Sequence, residues 1–213
     1  IQTWHAALEF KPVGMFRGKL FPKIAYLVSR YDSKLADYVL SNSEWCTERY
    51  PKMLLYNGEV LKSGSPRCDI FTTRRAELYR TIRKQYHVPT DGKIVMFAPT
   101  FRGGGQKGKR RIYSEEPALD FEMLTNTLHA KFGGTWYVFL RLHPQLAAQM
   151  EGIPLKKRSE HMVDVSQADD MNEILAAADV FITDYSSSAF DAVNMRIPVF
   201  LYMDDLQEYV QDC

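Results

Sequence analysis

Five short stretches of the chain concentrate residues that bind anions or move protons. They are Trp4-His5, Gly64-Ser65-Pro66-Arg67, Pro99-Thr100-Phe101-Arg102, Arg141-Leu142-His143-Pro144 and Asp184-Tyr185-Ser186-Ser187-Ser188. Each carries His, Arg, Ser or Thr. A single such stretch is unremarkable; five of one chemical character point to a shared anion pocket. Serine hydroxyls beside the orphan N–H groups and positive dipole end of a helix form an anion site. Ser186, Ser187 and Ser188 can also merely cap a helix, but capping needs one serine. The aspartates Asp184 and Asp191 cannot hold a phosphate; they can accept hydroxyls or hold the loop through backbone N–H groups, and Asp191 can equally lie on a solvated helix face. Pro144 confines His143 to extended geometry, where the imidazole can donate to a phosphate, shuttle a proton, or serve as a hydrogen-bonded structural group. Arg141 lies two residues back, on the same strand face, and favours the anion reading.

Those stretches need elements to position them. Ile94-Val95-Met96-Phe97-Ala98 is an apolar, β-branched run ended by Pro99, the pattern of a buried strand. Residues 38–40, 60–61, 136–142, 180–183 and 198–202 read as further strands, and Ile1-Gln2-Thr3-Trp4 reads as the end of another. Helices are expected at about 44–53, 72–86, 121–131, 171–177 and 189–194, the first capped by Ser43. Strand and helix alternate, which predicts an α/β fold with mostly parallel sheets. In such sheets ligands sit beyond the carboxyl ends of the strands, where the five stretches fall. The polar run 87–93 is the expected linker, giving domains 1–87 and 88–213.

Composition narrows the possibilities. The chain has 213 residues, 46% of them hydrophobic and 13% aromatic, enough for a packed core. A net charge of +1 gives no global field for nucleic acid. No apolar run is long enough to span a bilayer. Cys46, Cys68 and Cys213 follow no metal spacing, and no two histidines do either, so no metal is expected. His87, His129 and His161 are assigned no role. The P-loop, Rossmann glycine fingerprint and Gly-x-Ser-x-Gly elbow are absent. The basic loop 103–111 can touch an anionic polymer or lipid, or lie solvated. The chain begins at Ile1 and stops within a helix-like stretch, and reads as an internal piece of a longer protein.

Taken in order, Trp4-His5, GSPRCD at 64–69, FAPTFR at 97–102, RLHP at 141–144, TDYSSSAFD at 183–191 and YMDDLQEY at 202–209 resemble the CDP-glycerol:poly(glycerophosphate) glycerophosphotransferase family over nearly the whole chain. Ala6 stands where that family usually has glycine. The resemblance implies a GT-B-like architecture of two Rossmann-like lobes, the first incomplete here, with the active site in the cleft between them. It implies transfer of an alditol phosphate from CDP-glycerol or CDP-ribitol to the terminal hydroxyl of a polyol-phosphate or lipid-linked acceptor, with release of CMP and no cofactor. By position, it implies His5 as general base beside Trp4 and His143 as a contact to the donor pyrophosphate. Arg67, Pro99, Thr100, Ser186, Ser187 and Asp191 become donor-binding residues, and Trp4 and, from its place on the strand face, Arg141 complete the expected substrate-binding set. It also implies a peripheral location on the cytoplasmic face of a bacterial membrane, against an anionic surface. Two alternatives stand beside it: a GT-B glycosyltransferase using a nucleotide-sugar, and a non-catalytic nucleotide-binding fragment.

Overall fold

The computed structural model describes residues 1–3, 13–20, 22–100, 119–142, 147 and 159–207. The chain divides into two compact units, 1–69 and 70–212. Each is described on its own.

In the first unit, β1 (Tyr38–Ser41) pairs in parallel with β2 (Glu59–Lys62), with Val39 opposite Val60. Gln2 adds a parallel bridge to Val39 on the other side. Helix α1 covers Lys23–Leu35 and α2 covers Glu44–Met53. The expected cap is observed: the Ser43 hydroxyl accepts the Cys46 N–H at 3.1 Å. Val39, Cys46, Tyr50, Met53 and Tyr56 form the core. The Tyr50 hydroxyl reaches out of it to donate to the Leu40 carbonyl at 3.1 Å, which keeps the phenol satisfied. A Gly14 side chain would have its Cβ 1.8 Å from the Met53 carbonyl oxygen, so only glycine lets the 3-10 turn Gly14–Leu20 pass the end of α2.

No element is expected from sequence over residues 23–35, yet α1 forms there, and its polarity is inverted. Ala25, Tyr26, Ser29 and Ser33 are the half-buried side. Ile24, Leu27, Val28, Tyr31 and Leu35 are between 53% and 76% exposed. Their spacing of three and four residues places them on one face.

The second unit is built on a five-stranded, all-parallel sheet. Its strands are β3 (Lys93–Ala98), β4 (Trp136–Leu140), β5 (Met162–Asp164), β6 (Val180–Thr183) and β7 (Val199–Leu201), in the spatial order β5-β4-β3-β6-β7. Helices α3 (Ile70–Thr73), α4 (Arg75–Gln85), α5 (Phe121–Phe132), α6 (Met171–Ala176) and α7 (Ser188–Asn194) accompany it. Strand alternation sorts the side chains. Val95, Phe97, Val138, Leu140, Val180 and Ile182 share one core cluster with Phe121 and the half-buried Leu124 and Leu128 of α5. The expected helix 72–86 is two helices, broken at Arg74, whose φ of −127° and ψ of 1° are not helical. Strand β5 escapes sequence reading because Met162-Val163 is followed at once by Asp164, whereas the equally short β7 lies within the longer apolar run 198–202.

The expected boundary after His87 falls inside this second unit. Arg83, 4% exposed, donates to Asp179 Oδ2 at 2.7 Å and to the Gly92 carbonyl. Asp179 Oδ2 also accepts the Ile94 N–H at 2.7 Å. Helix α4 is thereby fastened to the starts of β3 and β6, and it packs on α6. The run 87–93 is a turn within one packed body.

Candidate functional site

Every strand of the second unit's sheet points the same way, so their carboxyl ends form one edge. Along it lie Pro99 and Thr100 after β3, Arg141 and Leu142 after β4, Val165 and Ser166 after β5, Asp184 to Ser188 after β6, and Tyr202 after β7. From β3 the chain builds outward in one direction through β4 and β5, then returns to add β6 and β7 on the other side. The point of reversal, between the ends of β3 and β6, is where doubly wound sheets open a crevice for ligands. The FAPT and TDYSSS stretches meet there.

Hydrogen bonds join the chain segments at this point. Asp184, 2% exposed, accepts the Thr100 N–H at 2.9 Å (Oδ1) and 3.0 Å (Oδ2), and its Oδ1 accepts the Tyr185 N–H at 2.7 Å. Thr183 donates its hydroxyl to the Ala98 carbonyl at 2.6 Å. The Tyr202 N–H reaches the Thr183 carbonyl at 2.7 Å, and the Tyr185 hydroxyl donates to Asp205 at 3.0 Å. Strand ends β3, β6 and β7 are therefore joined, and the YMDDLQ segment is tied back onto the loop. Of the two roles open to Asp184 from sequence, holding the loop through N–H groups is the one observed.

The serines divide their work. Ser187 occupies the N-cap position of α7, but its side chain makes no capping bond. The Ser186 hydroxyl accepts the Ser188 N–H at 3.2 Å and pairs with the Ser188 hydroxyl at 2.7 Å. Of the three serines, Ser186 is the one whose hydroxyl accepts an N–H at the start of α7. All three serines remain half-exposed. Asp191 is 5% exposed, which overturns its alternative reading as a solvated helix residue.

Arg141 is turned toward protein. Its Nη1 donates to the carbonyls of Val165 at 2.7 Å, Ser166 at 3.0 Å and Ala168. Leu142 N–H adds a bond to the Ser166 hydroxyl at 2.9 Å. Burial pushes the Arg141 guanidinium below its ordinary value, opposed by Tyr86 and by the nearby carboxylates Asp170, Asp164 and Asp169. This arginine shapes the exit of β5, a role that its place in RLHP did not reveal.

Arg67 lies half-buried in the 3-10 turn Pro66–Cys68 of the first unit. Trp4, His5, His143 and the basic loop 103–111 lie outside the described residues. Of the three histidines assigned no role, two have local contacts: His129 Nδ1 is 2.7 Å from the Gly134 carbonyl, and the His161 ring sits 5.0 Å from that of Tyr137. Among the described residues, no three His, Cys, Asp or Glu side chains gather to hold a metal ion.

Comparison with known proteins gives this arrangement a family context. A family model described as CDP-Glycerol:Poly(glycerophosphate) glycerophosphotransferase matches residues 1–212. A teichoic acid poly(glycerol phosphate) polymerase from Staphylococcus epidermidis is 30% identical over 98% of this chain and 29% of its own length. A teichoic acid poly(ribitol-phosphate) polymerase from Bacillus spizizenii is also 30% identical, over 99% of this chain and 33% of its length. The solved wall teichoic acid polymerase TagF superposes with a TM-score of 0.76 at 27% identity, covering all of this chain and 52% of TagF. A CDPG-soaked form of TagF gives 0.71 at 25% identity, covering 99% of this chain and 50% of TagF. The chain therefore spans about a third of those two curated relatives and half of the solved chains. The likeness bears out the GT-B-like α/β class.

Proposed function

Because the chain belongs to the CDP-glycerol:poly(glycerophosphate) glycerophosphotransferase family, we propose that it is part of an enzyme that transfers glycerol phosphate or ribitol phosphate from a CDP-alcohol to the terminal hydroxyl of a teichoic-acid-like polymer. The observation that carries the reading is the family match over residues 1–212. The sheet reversal at FAPT and TDYSSS, where α/β proteins bind ligands, supports it. Relatives named for glycerol and for ribitol match at the same identity, which supports either alditol as the transferred group.

The chemistry assigned to the residues is a displacement at phosphorus. The acceptor hydroxyl oxygen bonds to the phosphorus that carries the alditol. The bond from that phosphorus to the bridging oxygen breaks, and CMP leaves with that oxygen. His5 takes the hydroxyl proton as general base, with Trp4 beside it. His143, protonated, stabilises the charge arriving on CMP. Arg67, Thr100, Ser186 and Ser187 bind the donor pyrophosphate, with Pro99 shaping the strand exit. Asp191 accepts a donor hydroxyl, and Arg141 holds the neighbouring loop. Transfer of this kind depends on positioning and charge stabilisation more than on covalent work.

The same reading places the enzyme on the cytoplasmic membrane face. Helix α1 supports it. The exposed stripe Ile24, Leu27, Val28, Tyr31 and Leu35 is bordered on one side by Lys23, Arg30 and Lys34, all exposed. An apolar face with a basic border is the composition of helices that lie in an anionic interface. No helix among the described residues is long and apolar enough to cross a membrane.

The test uses the full-length protein with CDP-glycerol, CDP-ribitol and UDP-glucose, following the nucleotide released in the presence of polyol-phosphate acceptor. CMP with polymer extension is expected. Release of UDP alone sinks the reading in favour of a glycosyltransferase.

A further inference from the structure

We propose that Asp184 is a positioning residue: its carboxylate holds the exits of β3 and β6 in the register that presents Thr100 and the 185–187 stretch to the donor. This rests on the donor-binding reading of those strand ends. Strand β6 is flanked by two carboxylates, and each reaches across to a backbone N–H of the neighbouring β3 segment. Before β6, Asp179 Oδ2 accepts the Ile94 N–H at 2.7 Å. After β6, Asp184 accepts the Thr100 N–H with both oxygens, at 2.9 and 3.0 Å. One strand is thus stapled to its neighbour at both ends by its own flanking side chains.

The two staples differ in what they hold. The Asp179 staple joins the amino ends of the strands and is shared with Arg83 of α4. The Asp184 staple joins the carboxyl ends, at the reversal of the sheet, and also takes the Tyr185 N–H at 2.7 Å. The Thr100 amide is committed to Asp184, so any contact from Thr100 to a donor runs through its side chain. The Tyr185 bond sets the first residue of the loop that carries Ser186 and Ser187. A short carboxylate anchored by N–H groups of both segments fixes their separation to within a hydrogen bond's tolerance. Donor binding is sensitive to that separation; the far staple is not.

The experiment compares wild-type, Asp184→Asn and Asp179→Asn forms of the full-length protein. It reads thermal stability, steady-state kinetics with CDP-glycerol and CDP-ribitol, and amide hydrogen exchange. Both variants are expected to lose stability. Only Asp184→Asn is expected to raise the donor KM, by about tenfold with kcat within about twofold, the signature of lost binding geometry rather than lost chemistry. Asp184→Glu, which keeps the charge and moves the oxygens by one methylene, is expected to raise KM likewise, and it stands in if the asparagine form does not fold. A donor KM unchanged in the Asp184 variants, or raised equally in Asp179→Asn, overturns the proposal. A wild-type protein that uses neither CDP-alcohol overturns the functional reading instead. The staple is then judged by exchange: lost protection of the Thr100 and Tyr185 amides in Asp184→Asn supports it, and unchanged protection overturns it.

Discussion

Asp184 and Thr100 lie far apart in the chain and are joined side chain to backbone, both carboxylate oxygens lying within 3.0 Å of one amide nitrogen. The bond closes the strand exits on which two motifs depend. Neither motif read alone indicates that the aspartate of one answers the backbone of the other.

At the opposite end of the same strands, Arg83 and Asp179 form a shielded ion pair at 2.7 Å, with side-chain exposures of 5% and 31%. Removing one partner leaves a buried charge uncompensated. Asp179→Ala is expected to destabilise the protein by about 3 kcal/mol, measured by urea unfolding. The double variant Arg83→Met/Asp179→Leu is expected to recover most of that loss. A single variant as stable as wild type would show that the pair is unimportant.

His5→Ala in the full-length enzyme is expected to lower kcat by at least about a hundredfold, the scale of general base catalysis, while CDP-alcohol binding measured by calorimetry stays close to wild type. Unchanged turnover removes His5 from the base role.

Helix α1 makes its own statement about surfaces. Leu27→Ser/Tyr31→Ser in the full-length protein is expected to weaken sedimentation with phosphatidylglycerol vesicles by at least about tenfold, since each exposed apolar side chain contributes on the order of 1 kcal/mol or more when buried. Lys23→Gln/Arg30→Gln/Lys34→Gln is expected to weaken it too, and to reduce its sensitivity to salt. Equal binding by all three forms excludes α1 as the contact.

Arg74 holds Glu77 with a hydrogen bond and its charge, and these lower the Glu77 carboxyl below 4.5. The folded value lies below the unfolded one, so the contribution is present above about pH 4.5 and fades as pH falls through the folded value. The pair is exposed, so the effect is small. Between neutral pH and pH 3, Glu77→Gln is expected to show a shallower fall of Tm than wild type; identical slopes would contradict the linkage.

Much of the positioning was legible along the chain. The β-branched run before Pro99 and the apolar run before Thr183 announce buried parallel strands, because a strand covered on both faces needs side chains of one kind throughout. Ser43 announces a cap because an orphan N–H needs a nearby oxygen. The order of the motifs pointed to the family. These are local demands, met by residues within a few positions of one another.

Tertiary structure alone decided the rest. Whether Arg141 offers its charge to a ligand or to backbone carbonyls depends on where the exit of β5 comes to lie, and β5, its apolar run cut short at Asp164, is not legible in the sequence. Asp191 is buried because of what packs around α7, not because of its neighbours in sequence. The outward apolar face of α1 shows the same limit: spacing at three and four residues establishes that a face exists, but only packing decides which way it points. The staple at Asp184 is the clearest case. A carboxylate's chemistry is written in its type, but its partners are set by the strand order that brings β6 beside β3.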